Sequence, residues 1–516
     1  MTTPALTPLR PGPQTGQAGF GQLLWAEWIK FRTVRGWVIG MIIAALVTVG
    51  IALLDHSSCG GVITPGGPSI VGAGCAAPPD GPGGEAVTDN FYFVHRPLEG
   101  NGSITARVTS LTAGRGPAGL QPWSKAGIIV KASTRPGSAY AAMMVTAGHG
   151  VRMQYDYTGD IAGRPGTVSA VSPRWLRLTR SGDILTGYQS ADGTHWNVVG
   201  TAHLAGLPAT VLAGMLAASP TSAQSTSAQS ISGSSGGSAL TVATATFDHL
   251  GVRGQRPRGA WAGDMVGGAS PGTGFHQAGG TVTVTGSGDI APYVAASGGG
   301  GGFAIGHTLL GALGGLIAVI VVATMFMTAE YRRGLIRVTF TASPARGRVL
   351  AAKAIVIGSV TFIAGLAGAS AAVLLGERLL RSNGNFILPA STLSDVRVVA
   401  GTAALLAIAA VLALALGALL RSSAGAVTAV IAAIVLPYLL AITALPAGAS
   451  DWLLRLTPAA AFAIQQTTPQ YPQVSASYTP GNGYFPLAPW AGFAVLCGYA
   501  ALALALAMTL LRRRDA

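Results

Sequence analysis

One charge-free apolar run, Trp37–Leu54, follows a basic segment, and about 250 residues of soluble character separate it from five further apolar runs. A helix needs about 20 apolar residues to cross the hydrocarbon layer of a bilayer. The runs at 36–54, 304–327, 349–375, 398–420, 424–445 and 488–511 therefore predict six membrane spans. The fold class that follows is an α-helical polytopic membrane protein with a large all-β domain inserted between spans 1 and 2. The least distinct boundary is the fourth to fifth, where only Arg421, Ser422 and Ser423 interrupt the apolar pattern.

Charge orients the chain. Charged residues are only 10% of it, yet the net charge is +14. With the N-terminus inside, +11 of this falls on segments that face inward: the first 35 residues, Glu330–Lys353, Arg421 and the C-terminal arginines. That is the positive-inside pattern beside an anionic leaflet, and it argues against a nucleic-acid partner. Both termini are expected inside and the β domain outside the cell (plasma) membrane. About 36 mostly polar residues precede the first span, and no small-x-small cleavage site closes it before Asp55, so it reads as an uncleaved anchor.

Residues 1–19 are rich in Pro, Gly and Thr and are expected to be a disordered tail. The segment 20–35 predicts an interfacial amphipathic helix, with Leu24, Trp28 and Phe31 on one face and Glu27 and Lys30 opposite. The alternative is that it forms the first turns of one long first helix. A Gly/Pro linker, 55–84, carries Cys59 and Cys75. A bridge between them would close a loop of about 15 residues, worth roughly 3 kcal/mol in the chain-entropy model; two free thiols are the other reading. Over 85–297, short alternating runs bounded by Gly, Pro and Asp-Gly turns predict a β-sandwich. It contains a Ser/Thr/Ala/Gly-rich flexible insertion at 221–239.

Several of these runs, among them Trp123-Ser-Lys-Ala-Gly-Ile-Ile-Val, PRWLRLTRSGD, YQSADGTHW and ATFDHLGV, resemble the concanavalin A-like lectin (laminin-G, jelly-roll) domains. The pattern that opens such domains occurs here late, at Trp261–Ile290. The resemblance thus implies a permuted sandwich in which strands from 258–291 dock last, or else a truncated repeat. It also implies sugar binding, with Tyr155, Asp156, Tyr157 and Trp196 as candidate glycan contacts. Core packing and turn formation are the competing role for such residues.

Enzymatic readings fare poorly. Glycoside hydrolysis needs two carboxylates about the scissile bond, and Glu85 and Glu99 lie in no acidic strand motif. The eight histidines lack ligand spacing, so no metal site is expected. A phosphate-cradling loop needs Gly-Lys-Ser/Thr. The four lysines, Lys30, Lys125, Lys131 and Lys353, none of them preceded by glycine, exclude that route to ATP hydrolysis.

The inner end of the second span reads AEYRRGLIRVTFTASPARGRVLAAK, from Ala329 to Lys353. It resembles the signature of type-2 ABC exporter permeases, and two other segments match it in order. AEWIKFRT at 26–33 resembles their entry helix, including Glu27, Trp28, Lys30 and Arg32, and WLLRLTPAAAFAIQQ at 452–466 resembles their outer hairpin. The resemblance implies a coupling segment contacting a cytoplasmic ATPase through Glu330, Arg332, Arg333, Gly334, Arg337 and Arg346. It further implies ATP and Mg bound on that partner rather than here, a second permease copy, and contact with membrane lipid. A membrane-anchored glycan-binding or sensory protein without transport is the reading from another class. Gly311 and Gly315 form a GxxxG step suited to helix packing within the chain or to dimerisation.

Overall fold

The computed structural model describes residues 19–54, 77–114, 119–223, 238–239, 241–255, 260–268, 272–294, 302–332, 346–474 and 478–513. Residues 1–18 of the expected tail 1–19, the cysteine pair Cys59/Cys75 and most of the 221–239 insertion lie outside the described residues.

Among the described residues, six helical segments are long and apolar enough to cross a membrane, and the chain is a multi-pass membrane protein with a β domain. Helix α1 (Phe20–Thr33) ends at Val34, whose extended backbone separates it from α2 (Arg35–Leu53). The two are therefore distinct helices. After the β domain come a short 3-10 turn (Ile305–Leu309) and α3 (Ala312–Arg332), then α4 (Arg346–Ser382) and α5 (Thr392–Leu420). Arg421 closes α5 in the left-handed region, and Ser422 starts α6 (Ser423–Val430) by accepting a bond from Gly425 N–H. These two residues are enough to reverse the chain.

Helix α6 runs through a π turn, Ile431–Val435, into α7 (Leu436–Thr443). Pro437 explains the turn: it has no N–H for the preceding carbonyl ladder, so Leu436 N–H reaches back five residues to Ile431. An amphipathic α8 (Ala447–Leu456), a buried 3-10 helix (Pro458–Gln465) and the last span α9 (Pro489–Arg513) complete the bundle.

Helix α5 is the core of this bundle, while α2 and α9 leave most of their apolar surface outward. Small residues set the packing. A Cβ at Gly311 would lie 2.1 Å from the Thr48 carbonyl oxygen, and one at Gly315 2.3 Å from Thr48 Oγ1. The GxxxG step thus seats α2 against the start of the second span, inside one chain. Trp25 and Trp28 at one end, and Trp452 and Trp490 at the other, are left exposed, an arrangement suited to the two bilayer interfaces.

The β domain runs β1 (Val87–Asp89), β2 (Phe91–Ala113), β3 (Lys125–Lys131), β4 (Tyr140–Thr146), β5 (Gly150–Tyr155), β6 (Gly159–Ala162), β7 (Arg174–Ser181), β8 (Ile184–Ser190), β9 (Asn197–His203) and β10 (Thr210–Ala218). Then follow β11 (Ser222–Ala223), β12 (Ser238–Ala239), β13 (Val242–Gln255), β14 (Ala262–Val266), β15 (Gly274–Ala278), β16 (Thr281–Ser287) and β17 (Ile290–Pro292). Thirteen of them form one continuous, nearly barrel-like antiparallel sheet. Continuity comes from β2, whose first half pairs with β10 and β14 and whose second half pairs with β7 and β13. Gly100, at φ +60, lies between the halves. Strands β14 and β16, from the segment with the late-placed pattern, are laid into this sheet beside β2 and β13.

Strands β3 and β4 are buried on both faces. Ile128, Val130, Ala141 and Met143 enter the main core, whereas Ile129, Tyr140, Ala142 and Met144 enter a second one under β1 and β17. Those last two strands pair antiparallel, so the domain's entry and exit lie side by side. Two buried ion pairs pin this ribbon: Lys125 Nζ is 2.6 Å from Asp289, and Lys131 Nζ is 2.7 Å from Asp89. Next to the ribbon, Gly302 N–H donates to the Tyr293 hydroxyl (2.8 Å), and Phe303 bridges to Ile387 between α4 and α5. On another edge, Gln473 Nε2 donates to the Thr158 carbonyl (3.2 Å).

Candidate functional site: four charges where three helices meet

Lys353 lies two turns into α4, in a stretch otherwise apolar, and its side chain is 1% exposed. A lone ammonium in such surroundings would be very unfavourable, so it needs anionic partners. Its Nζ is 2.7 Å from Glu27 Oε2 on α1 and 2.7 Å from Glu330 Oε1 on α3. Lys30, one turn beyond Glu27, donates to Glu27 Oε1 at 2.7 Å and to Glu330 Oε1 at 3.2 Å. The four groups sum to zero formal charge and connect three helices.

Aromatic rings wall the cluster. Phe326 lies one turn before Glu330, and the Lys353 ammonium is 4.6 Å from its ring centre. Phe31 and Trp37 pack on the same ring, with centroids 5.7 and 4.9 Å away. Water is thereby kept from Glu27 and Lys353, while the side chain of Lys30 stays 40% exposed. Burial draws the Lys30 pKa down, but the hydrogen bond and charge of Glu27, joined by those of Glu330, outweigh this and hold it above its ordinary value.

The helical face assigned from sequence needs correcting. Glu27 is not opposite Phe31: both are buried toward the bundle, whereas Trp25, Trp28 and Ile29 are outward. Four residues apart, Glu27 and Phe31 share a face of any α-helix; it was the charge of Glu27, without sight of Lys353, that suggested the water side. Lys353 is the residue the sequence reading passed over as part of the site. Its signal was an isolated lysine in a chain with four, set just inside an apolar run.

The other site candidates fall differently. Arg332 ends α3, while Arg333, Gly334 and Arg337 lie outside the described residues. Arg346 opens α4, and its Nη1 donates to the Leu511 carbonyl at 2.9 Å. It thus helps to satisfy the C-terminal end of α9. Trp28 and Arg32 border grooves beside α1.

The four glycan candidates do not form one exposed surface. Tyr157 is 1% exposed, and its hydroxyl donates to Asp89 (2.7 Å) beside Lys131 (3.1 Å), so it belongs to the core. Asp156 accepts a bond from Tyr140 N–H (3.2 Å), and burial is the main cause that raises its pKa. Tyr155 packs against the main core. Trp196, on the β8–β9 hairpin, donates to the Gly193 carbonyl and lies under the Arg177 guanidinium at 3.8 Å. Among the described residues, no group of three or more His, Cys, Asp or Glu has metal-holding geometry.

No protein-family model and no curated protein matches this chain. Among solved structures it is similar to a functionally unknown protein from Saccharomyces cerevisiae, at 15% identity and TM-score 0.19, over 33% of this chain and 76% of that one. The GH43 BlXynB protein from Bacillus licheniformis is similar at 16% and 0.20, over 30% and 27%. Scytalido-glutamic peptidase is similar at 11% and 0.23, over 40% and 99%. Similarity this slight carries no argument about activity.

Proposed function

We propose that this chain is the permease subunit of an ATP-binding-cassette exporter of the type-2 class, in the cell membrane with its β domain outside. A separate cytoplasmic ATPase would bind ATP and Mg, and a second permease copy would complete the pathway for an amphiphilic or lipid-like substrate.

The observation that carries this reading is the Glu27–Lys30–Glu330–Lys353 cluster. It lies at the ends of the two helices that flank segment 333–345 and on the helix before the first span. Separating buried opposite charges is unfavourable by about 3–5 kcal/mol. A push on that segment would therefore move α1, α3 and α4 together instead of pulling them apart. Rigid transmission of this kind is what a permease driven from the cytoplasm requires.

The test is co-expression with an ATP-binding-cassette ATPase from the same genome, a gene adjacent to this one being the first choice. The expected result is a purified complex whose ATPase rate falls severalfold with Glu330→Gln plus Lys353→Met. A β-domain ligand with no ATPase complex would favour the membrane-anchored glycan-binding or sensory alternative instead.

A further inference from the structure

Two grooves lie side by side on the outer surface of the bundle, between α1, α2 and α4. They share Trp28, Val360, Ala364 and Ala367. One, of about 410 Å³, follows Val38, Ile42 and Leu46 of α2. The other, of about 580 Å³, runs beneath Leu24 and Trp25 along Ile355, Ser359 and Ile363 of α4. Their floor is shallow in side chains because Ala45, Ser359, Ala364 and Ala367 are small. Arg32, exposed at the rim, is the one charged residue lining either of these grooves.

We propose that this paired trench binds a two-chain anionic membrane lipid, its acyl chains on either side of Trp28 and its headgroup at Arg32.

Length supports a lipid. At a rise of 1.5 Å per residue, Val38–Leu46 spans ~12 Å and Ile355–Ala367 ~18 Å, close to one leaflet of a hydrocarbon core ~30 Å thick. Shape supports it as well. Two adjoining grooves, both lined by Trp28, suit two flexible chains, whereas a helix from a second copy is ~10 Å wide. Charge then selects the headgroup. Arg32 and Arg35 are exposed, and neither has a carboxylate partner among the described residues; Lys30 is committed to Glu27 and Glu330. Cations at that depth favour an anionic lipid. The inference does not depend on ATP-driven transport, and its test uses no ATP.

The full chain is reconstituted in phosphatidylcholine vesicles, and lipid with brominated chains is titrated in as phosphatidylglycerol or as phosphatidylcholine. The Trp28 signal is the difference between wild type and Trp28→Phe. Half-quenching is expected at a roughly fivefold lower fraction of the anionic lipid. Arg32→Gln should merge the two curves, and Ala364→Phe should weaken quenching by both. Coincident curves in the wild type would reduce the trench to ordinary annular contact and overturn the proposal. So would an absence of quenching by either lipid, which would mean that the N-terminal residues or a second copy cover the grooves. If Ala364→Phe does not fold, the Arg32→Gln comparison still decides.

Discussion

The Lys353 ammonium stands 2.7 Å from a carboxylate oxygen of Glu27, a residue 326 positions earlier in the chain. This contact ties the helix before the first span to the third span, and Glu330 adds the second span to the same ammonium. The cluster is neutral only as a whole, which makes its members interdependent.

Lys353→Met should leave two buried carboxylates facing Lys30 alone and destabilise the protein by about 3–5 kcal/mol. The double variant Glu27→Gln/Lys353→Met should cost less than the sum of its single changes, because each single change strands a charge that the other removes. Thermal unfolding in lipid nanodiscs measures both; strict additivity would refute the coupling.

Tyr157→Phe deletes a hydroxyl that donates to Asp89 and accepts from Lys131. A loss of about 1–3 kcal/mol is expected, from the bonding left unsatisfied in the core. Any sugar binding by the β domain should be unchanged, since the ring is inaccessible. A glycan titration that shifts without a stability change would return Tyr157 to the surface role.

Asp156 has a positive φ of +40 and a carboxyl held above its ordinary value, chiefly by burial. In the window between the ordinary and the raised value, the folded chain keeps a proton that the unfolded chain has lost. Stability contributed by this group therefore falls as pH rises through that window. Asp156→Asn, which suits the left-handed backbone and carries no charge, should be more favourable relative to wild type at pH 7 than near pH 3.5. Paired denaturation curves at the two pH values supply the check; an unchanged difference would contradict it.

Tyr293→Phe removes the acceptor for Gly302 N–H, at the passage from β domain to second span. Loss of about 1 kcal/mol locally corresponds to roughly fivefold faster hydrogen exchange at that amide. Exchange mass spectrometry resolves the peptide, and an unaltered rate would show that this bond does not secure the junction.

Six apolar runs and a β-rich insertion were legible from sequence because hydropathy and turn chemistry are local; helix ends were not, and α4 runs to Ser382, past the expected end at 375. Even the tight turn at Arg421–Ser422 was visible as a gap in apolar character. The β domain's candidate contacts were less legible, since an aromatic residue serves equally in a core or on a surface. Tyr157 became a core residue once β1 returned to pair with β17 and brought Asp89 to Lys131.

What the sequence determined by itself is the division of this chain between lipid and water, because transfer free energy depends on residue type and run length alone. Which charges face one another was decided only by tertiary structure. Glu27 looks like a solvated residue on an amphipathic helix until helix packing delivers Lys353 and Glu330 to it. The electrostatic fate of an ionisable group depends on neighbours that the folded chain alone brings near.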